Sequence, residues 1–271
     1  RKRLGRSKTH IIAKIENFEG VKNIDEIIRY SDGVMVARGD LGIEMPSEKV
    51  PIIQKDILDR CNSQGKLDIV ATQMLESMVV SPRPTRAETS DVANAILDGS
   101  DCVMLSEETA IGSYPVEAVH HISRIAKEVE PRIDEDIKID RCTDLSNTIA
   151  KSVNDMCRCL HIDKIVTLTE SSYTARMIAR FRPKMPILAV TDDPIVRNQM
   201  ELYYGIQPVF MKKLPKVALL LYTAKHCYKK NLLKRKDTVI FAAKIFTDKH
   251  KVSNLLQVNT MEELLSSAKK I

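Results

Sequence analysis

Lys14 and Glu16 stand two residues apart at the end of a short apolar run, His10–Ile15, so on a strand both side chains would project from one face. The next apolar run, Gly33–Ala37, leads into Arg38, Gly39 and Asp40. A third, Asp68–Ala71, leads into Thr72 and Gln73, and a fourth, Cys102–Leu105, into Ser106, Glu107 and Glu108. Glu16 and Asp40 are hard oxygen donors one repeat apart, and two carboxylates with open positions suit Mg²⁺ or Mn²⁺. Lys14 beside them would supply a fixed positive charge for an oxyanion. Gly39 lets backbone N–H groups approach a carboxylate or phosphate. The hydroxyls of Thr72 and Ser106 can donate or relay a proton. This set fits phosphoryl or enolate chemistry better than hydride transfer, because the chain holds no G-x-G-x-x-G fingerprint.

Something must bring these groups together, and the spacing between them predicts what. Amphipathic stretches separate the apolar runs: Gly20–Tyr30 puts Val21, Ile24, Ile27 and Ile28 on one face, and Ser47–Cys61 does the same with Val50, Ile53, Ile57 and Leu58, with Pro51 in its first turn. Asp91–Leu97 and Val116–Val129 continue the series. Strand alternating with helix predicts parallel strands joined by right-handed crossovers. Polar turns follow strands in any fold. Four consecutive strand ends that mix basic, acidic and hydroxyl groups instead point to a site of the kind α/β barrels build there.

Composition narrows the class. Among 271 residues, 44% are hydrophobic and 29% charged, and nine Gly and 11 Pro exclude collagen-like or low-complexity chains. No apolar run is long enough to cross a bilayer as a helix, and the start shows no secretory signal pattern, so no membrane partner and a cytoplasmic location are expected. Six cysteines without framework spacing read as reduced thiols. Cys157, Cys159 and His161 cluster, yet no fourth zinc ligand stands at a sensible distance, so buried thiols near a helix end are the expectation. The formal charge of +6 is uneven, with five basic residues in 1–8 and 12 Lys or Arg against Asp237 and Asp248 in 212–251. Aromatics make up only 4% of the chain, too few to stack on bases, so the basic region reads as a solvated surface and no nucleic-acid partner is expected. Lys229–Lys236 reads as one amphipathic helix end.

Longer segments carry a resemblance. I-I-A-K-I-E-N-F-E-G-V (Ile11–Val21), S-D-G-V-M-V-A-R-G-D-L-G-I-E (Ser31–Glu44), A-T-Q-M-L-E-S-M (Ala71–Met78), P-R-P-T-R-A-E (Pro82–Glu88) and S-D-V-A-N-A-I-L-D-G-S-D-C-V-M-L-S-E-E-T-A (Ser90–Ala110) resemble the pyruvate kinases. The match is dense to about residue 130 and weaker to about 210. It implies the second half of a TIM-type (β/α)8 barrel over 1–130, a linker over 131–144 and a separate α/β C-terminal domain over 145–271. The implied reaction moves the phosphoryl group of phosphoenolpyruvate to ADP, giving pyruvate and ATP, with Mg²⁺ (or Mn²⁺) and K⁺, in a homotetramer. Carried over by position, Lys14 would stabilise the phosphoryl in flight and the enolate oxygen. Glu16 and Asp40 would hold the metal. N–H groups of Gly39 and Asp40, with Thr72, would hold the substrate carboxylate, with Arg38 and Gln73 supporting that shell. Thr72, Ser106 and Glu108 would lie on the proton route to the enolate methylene, and Arg86 would order loops or a subunit contact.

Two features depart from the family. Glu107 stands where glycine is usual, adding a side chain near the proton route. The earlier barrel strands, with a phosphate-binding arginine, the K⁺ ligands and the lid domain, have no counterpart in this sequence, so a fragment that is inactive by itself is expected. An alternative of a different class is a catalytically silent regulatory protein derived from the same family.

The second half repeats the α/β pattern: Leu145–Leu160, Ser172–Phe181 and Pro194–Tyr204 as helices, Asp163–Leu168, Pro186–Thr191, Ile206–Phe210, Thr238–Ile245 and Val252–Val258 as strands. In the resembling domain sugar phosphates bind as allosteric effectors. The corresponding loop here holds Thr169, Ser171, Ser172 and Thr174 ahead of a helix start, where hydroxyls and free N–H groups suit a phosphate. Glu170 among them repels one, and plain N-capping by Ser171 or Ser172 needs no ligand. The loop Phe246–Lys251 lacks the family's Gly- and Trp-containing pattern but offers Lys249, His250 and Lys251.

Overall fold

The computed structural model describes residues 2–5, 7–133, 144–212, 219–243 and 254–267. The chain divides into two compact units, Arg1–Asp134 and Glu135–Ile271.

In the first unit β1 (Ile12–Ile15), β2 (Gly33–Ala37), β3 (Leu67–Ala71) and β4 (Cys102–Met104) are parallel and lie in the order β1-β2-β3-β4. An order that never reverses is that of a barrel wall; a doubly wound sheet reverses at a switch point. Alternation along the strands sorts the two faces. Ile15, Val34 and Val36 pack with Ile24, Ile28, Leu41, Val50, Ile57 and Cys61 of the helical layer. On the other face Lys14 pairs in register with Met35, Met35 with Ile69, and Ile69 with Cys102. Gly33 is required by the close approach of β3, since a Cβ there would lie 2.7 Å from the Leu67 carbonyl oxygen.

The helices depart from the sequence reading in instructive ways. Gly20–Tyr30, expected as one helix, is two: α1 (Phe18–Lys22), capped by Asn17 through a 2.8 Å bond from Gly20 N–H, and α2 (Ile24–Tyr30). The break is at Asn23 (φ −102°, ψ 19°), whose amide also bonds the Glu19 carbonyl and so competes with a continuous helix. Arg38–Gly42, to which the sequence reading gave no element beyond its place after the second apolar run, opens a helix, α3 (Arg38–Glu44), that two glycines disguise. α4 (Val50–Ser63) holds Pro51 in its first turn. α5 (Arg86–Leu97) starts earlier than expected because Thr85 and Glu88 form a capping box. α6 (Glu107–Ala110) and α7 (Pro115–Val129) complete the unit.

The second unit starts with α8 (Leu145–Cys159), capped by Asp144. Its strands are β5 (Lys164–Leu168), β6 (Ile187–Thr191), β7 (Ile206–Phe210), β8 (Thr238–Ala243) and β9 (Leu255–Thr260), in the order β7-β6-β5-β8-β9. α9 (Tyr173–Ala179), α10 (Pro194–Met200), α11 (Leu219–Lys229) and α12 (Met261–Ser267) accompany them. All pairs are parallel except β8 with β9, which strand rhythm alone does not disclose. Val166, Leu188, Val190, Val209 and Phe241 form its core with Ala224, Cys227, Leu233 and Met261. The basic run is a correction: α11 ends at Lys229, and Asn231 at φ 57° turns the chain, so Lys230–Lys236 does not continue the helix. Most of the expected linker 131–144 and the loop Phe246–Lys251 lie outside the described residues. No helix among the described residues is long and apolar enough to cross a membrane.

Candidate active site

The C-terminal ends of β1 and β2 bring three of the expected residues together. Lys14 leaves the sheet on the face opposite the helices, Glu16 follows β1 directly, and Asp40 sits in the first turn of α3. The Lys14 ammonium pairs with Glu16 Oε2 and donates to Asp40 Oδ2 at 2.9 Å. All three side chains are about half exposed, at 50%, 42% and 51%. Hydrogen bonds to Asp40 and then Glu16 hold the Lys14 ammonium above the usual lysine range. The same bond from Lys14 holds the Asp40 carboxyl below the usual carboxylate range. Lys14 and Asp40 are therefore charged at neutral pH, with open solvent beside them.

The fit for a divalent cation can be judged from the ammonium. One positively charged atom touches an oxygen from each carboxylate, so both oxygens reach a common cation position. Two carboxylates with solvent around them match Mg²⁺, which keeps waters and shares the remaining positions with ligand oxygens. Among the described residues no group of three or more His, Cys, Asp or Glu is placed to hold a metal.

Beside this trio Thr72 links the ends of β2 and β3. Its Oγ1 accepts from Gly39 N–H at 2.8 Å and donates to the Ala71 carbonyl at 2.6 Å. Thr72 (φ 70°) and Gln73 (φ 53°) are both left-handed. Gln73 is exposed. Arg38 is turned away from the trio: its Nη1 meets Asp91 Oδ1 at 2.7 Å, and its Nη2 meets the Thr72 carbonyl at 2.9 Å and the Gln73 carbonyl at 3.3 Å. It faces the turn after β3 rather than the trio.

The ends of β3 and β4 are tied by Glu108, which is buried. Its Oε1 accepts from Leu75 N–H at 3.0 Å and its Oε2 from Ser106 N–H at 2.7 Å. Ser106 is half-buried, directly ahead of α6, and its side chain makes no capping bond. Glu107 is exposed, so the residue that replaces the usual glycine faces solvent. Glu88 takes Ser77 N–H at 2.7 Å and Thr85 N–H at 2.7 Å, closing the loop between β3 and α5. Arg86 begins α5 and is exposed. Sequence reasoning passed over Glu88 and Asp91; the T-x-x-E pattern of Thr85 and Glu88 was the available signal.

In the second unit the candidate effector loop follows β5, where the strand order reverses between β5 and β8. Thr169 and Ser172 are buried, Thr174 is half-buried, and Glu170 and Ser171 are exposed. Ser172 is left-handed (φ 63°), and its hydroxyl bonds the Ser171 carbonyl rather than capping α9. Cys157 is buried, Cys159 exposed, and His161 lies 3.6 Å from Asp163.

Comparison with known proteins bears on both units. The family model of the pyruvate kinase barrel domain matches residues 2–119, and that of the pyruvate kinase alpha/beta domain matches residues 147–259. The chain is 45% identical over 270 residues to a pyruvate kinase of Geobacillus stearothermophilus, covering 96% of this chain and 46% of that protein. To a pyruvate kinase of Dictyostelium discoideum it is 42% identical over 270 residues, covering 96% and 53%. A crystal structure of a pyruvate kinase from Cryptosporidium parvum matches with a TM-score of 0.86 at 39% identity, covering 94% of this chain and 52% of that one. The chain spans about half the length of these relatives. A barrel-type sheet ending in a Lys-Glu-Asp trio and a separate α/β unit each match successive domains of one family, and the chain belongs to the pyruvate kinase family.

Proposed function

We propose that the protein containing this chain transfers the phosphoryl group of phosphoenolpyruvate to ADP, the pyruvate-forming step of glycolysis. The observation that carries the reading is the Lys14 ammonium held between Glu16 and Asp40 at the open ends of barrel-type strands. In the transfer the bond from phosphorus to the enol oxygen breaks, a bond to the terminal phosphate oxygen of ADP forms, and the enolate methylene takes a proton. Lys14 balances charge on the phosphoryl group and then on the enolate oxygen. The Gly39 and Asp40 N–H groups, with Thr72, receive the substrate carboxylate; the Gly39 N–H now resting on Thr72 Oγ1 at 2.8 Å is the bond exchanged on binding. Thr72, Ser106 and Glu108 stand on the proton route, Glu108 acting through the two backbone amides it holds. Gln73 and Arg38 shape the carboxylate pocket. Glu16 and Asp40 would hold Mg²⁺ or Mn²⁺, and such an ion supplies Lewis-acid stabilisation of phosphoryl and enolate oxygens.

The K⁺ ligands are proposed to lie outside this chain, as do the remaining barrel strands, and the chain alone is expected to be inactive. The domain limits 1–130, 131–144 and 145–271, a homotetramer and a cytoplasmic location complete the proposal. Effector control through Thr169, Ser171, Ser172 and Thr174 is supported by a loop at a strand-order reversal, where α/β sheets take ligands, and opposed by exposed Glu170. The test is a phosphoenolpyruvate-to-ADP transfer assay of the intact protein with Mg²⁺ and K⁺. Lys14→Met should reduce turnover about 10³-fold or more, the scale of losing a fixed charge at a transferring group. An intact protein that binds these ligands without transfer would favour the silent regulatory alternative.

A further inference from the structure

The left-handed backbone at Thr72 and Gln73 needs a cause. A β-branched residue at φ 70° is sterically unfavourable, and such conformations persist only where the surroundings over-determine them. The constraint comes from Arg38, whose Nη2 reaches the Thr72 carbonyl (2.9 Å), the Gln73 carbonyl (3.3 Å) and Met74 Sδ (2.9 Å). With one of its two N–H groups facing Asp91, Nη2 has one left for this cluster, and the Thr72 carbonyl is the shorter of the two carbonyl contacts. Arg38 is in turn oriented by Asp91 on α5: Nη1 to Oδ1 at 2.7 Å and Nη2 to Oδ2 at 2.7 Å, a bidentate fork. Among the described residues its Nε is buried without a hydrogen-bond partner, and a further side-chain oxygen, Gln54 Oε1, lies 3.5 Å from Nη1. The Arg38 side chain is 10% exposed and that of Asp91 39%. Among the described residues Asp91 is the carboxylate that pairs with this nearly buried cation, and it does so through both terminal nitrogens.

We infer that Asp91 is a positioning residue for the proposed transfer. It fixes the Arg38 fork, the fork fixes the left-handed Thr72-Gln73 turn, and the turn keeps the Thr72 hydroxyl on the Gly39 amide, where the substrate carboxylate is proposed to bind. Asp91 touches no reacting group in this scheme. Its effect on turnover rests on the proposed function; its hold on the turn does not.

Two readouts on the intact protein separate those claims. The first is amide hydrogen exchange by mass spectrometry, on peptides that resolve Gly39 from β2. Asp91→Asn should speed exchange at Gly39 about tenfold while the β2 amides Val34–Val36 stay as in the wild type. The second is a double-mutant cycle in turnover between Asp91→Asn and Thr72→Val. Asp91→Asn should lower kcat about 10–100-fold in the wild-type background, the scale of a displaced positioning group. It should have little further effect once Thr72 is valine, and Asp91→Glu should restore part of the loss. A merely structural ion pair would cost the same factor in both backgrounds. Unchanged exchange at Gly39, or full additivity in the cycle, overturns the inference. If Asp91→Asn does not fold, Arg38→Lys keeps the charge, loses the fork and faces the same two readouts. A wild-type protein without transfer activity would overturn the function instead, and the exchange result would still decide the hold of Asp91 on the turn.

Discussion

At the ends of β1 and β2 Lys14, Glu16 and Asp40 face solvent and pair with one another, whereas beyond β3 and β4 the carboxylates of Glu88 and Glu108 turn inward onto backbone. Lys14, Glu16 and Asp40 form the first kind of end, about half exposed, with carboxylate oxygens open to a further ligand. Glu108 and Glu88 form the second, accepting from Leu75, Ser106, Ser77 and Thr85, while Arg38, which leaves the end of β2, turns away from the first kind toward Asp91 and the Thr72-Gln73 carbonyls. Neighbouring strand ends of one sheet thus differ in kind: one presents charge to solvent, and the other holds the loops beside it. Residue type alone does not reveal this, since both ends carry carboxylates.

Removing charge from the two ends should have unequal consequences for stability. Glu108→Ala leaves the N–H groups of buried Leu75 and half-buried Ser106 without their acceptor, and should cost about 2–4 kcal/mol of stability by chemical denaturation. Asp40→Ala breaks an exposed, solvent-screened pair and should leave the denaturation midpoint close to that of the wild type. A reversal of that order would break the comparison.

Acid should find the same division, with a smaller effect. Burial works to raise the Glu88 carboxyl, but bonds from Ser77 and Thr85 outweigh it and hold the group below the usual range. A depressed folded-state value contributes stability that is present above the unfolded-state value, about 4.3, and is lost as pH falls through the folded one. Melting temperature should therefore decline below about pH 4, and Glu88→Gln should flatten that decline. The raised Lys14 value acts at the other extreme, its contribution being lost only as pH rises above the usual lysine range.

The second unit supplies the smallest expected effect. Its candidate loop exposes Glu170 and turns the Ser172 hydroxyl to the Ser171 carbonyl, so little is offered to a phosphate. A sugar bisphosphate should shift the melting temperature by no more than about 1 °C, whereas a saturable shift of several degrees would show a formed site.

The sequence disclosed the barrel-type wall and the site differently. Parallel strands and the convergence of Lys14, Glu16 and Asp40 were legible because strand period and strand-end position are properties of the chain itself. The helix Arg38–Glu44 was not, because Gly39 and Gly42 lower its intrinsic propensity and only its place after β2 sustains it. The break at Asn23 and the antiparallel β9 likewise depend on side-chain bonds and neighbours distant in sequence. Asp91, 53 positions from Arg38, could not be paired with it by any local rule.

The central claim is that Glu16 and Asp40 form the ligand-facing cation site while the inward carboxylates do not. It is tested most directly by titrating the intact protein with Mn²⁺ and following free-ion electron paramagnetic resonance, for the wild type and for Glu16→Gln/Asp40→Asn. The expected result is a loss of affinity of about 100-fold or more in the double variant, with its melting temperature within a few degrees of the wild type. Equal Mn²⁺ affinity in the two proteins would contradict it.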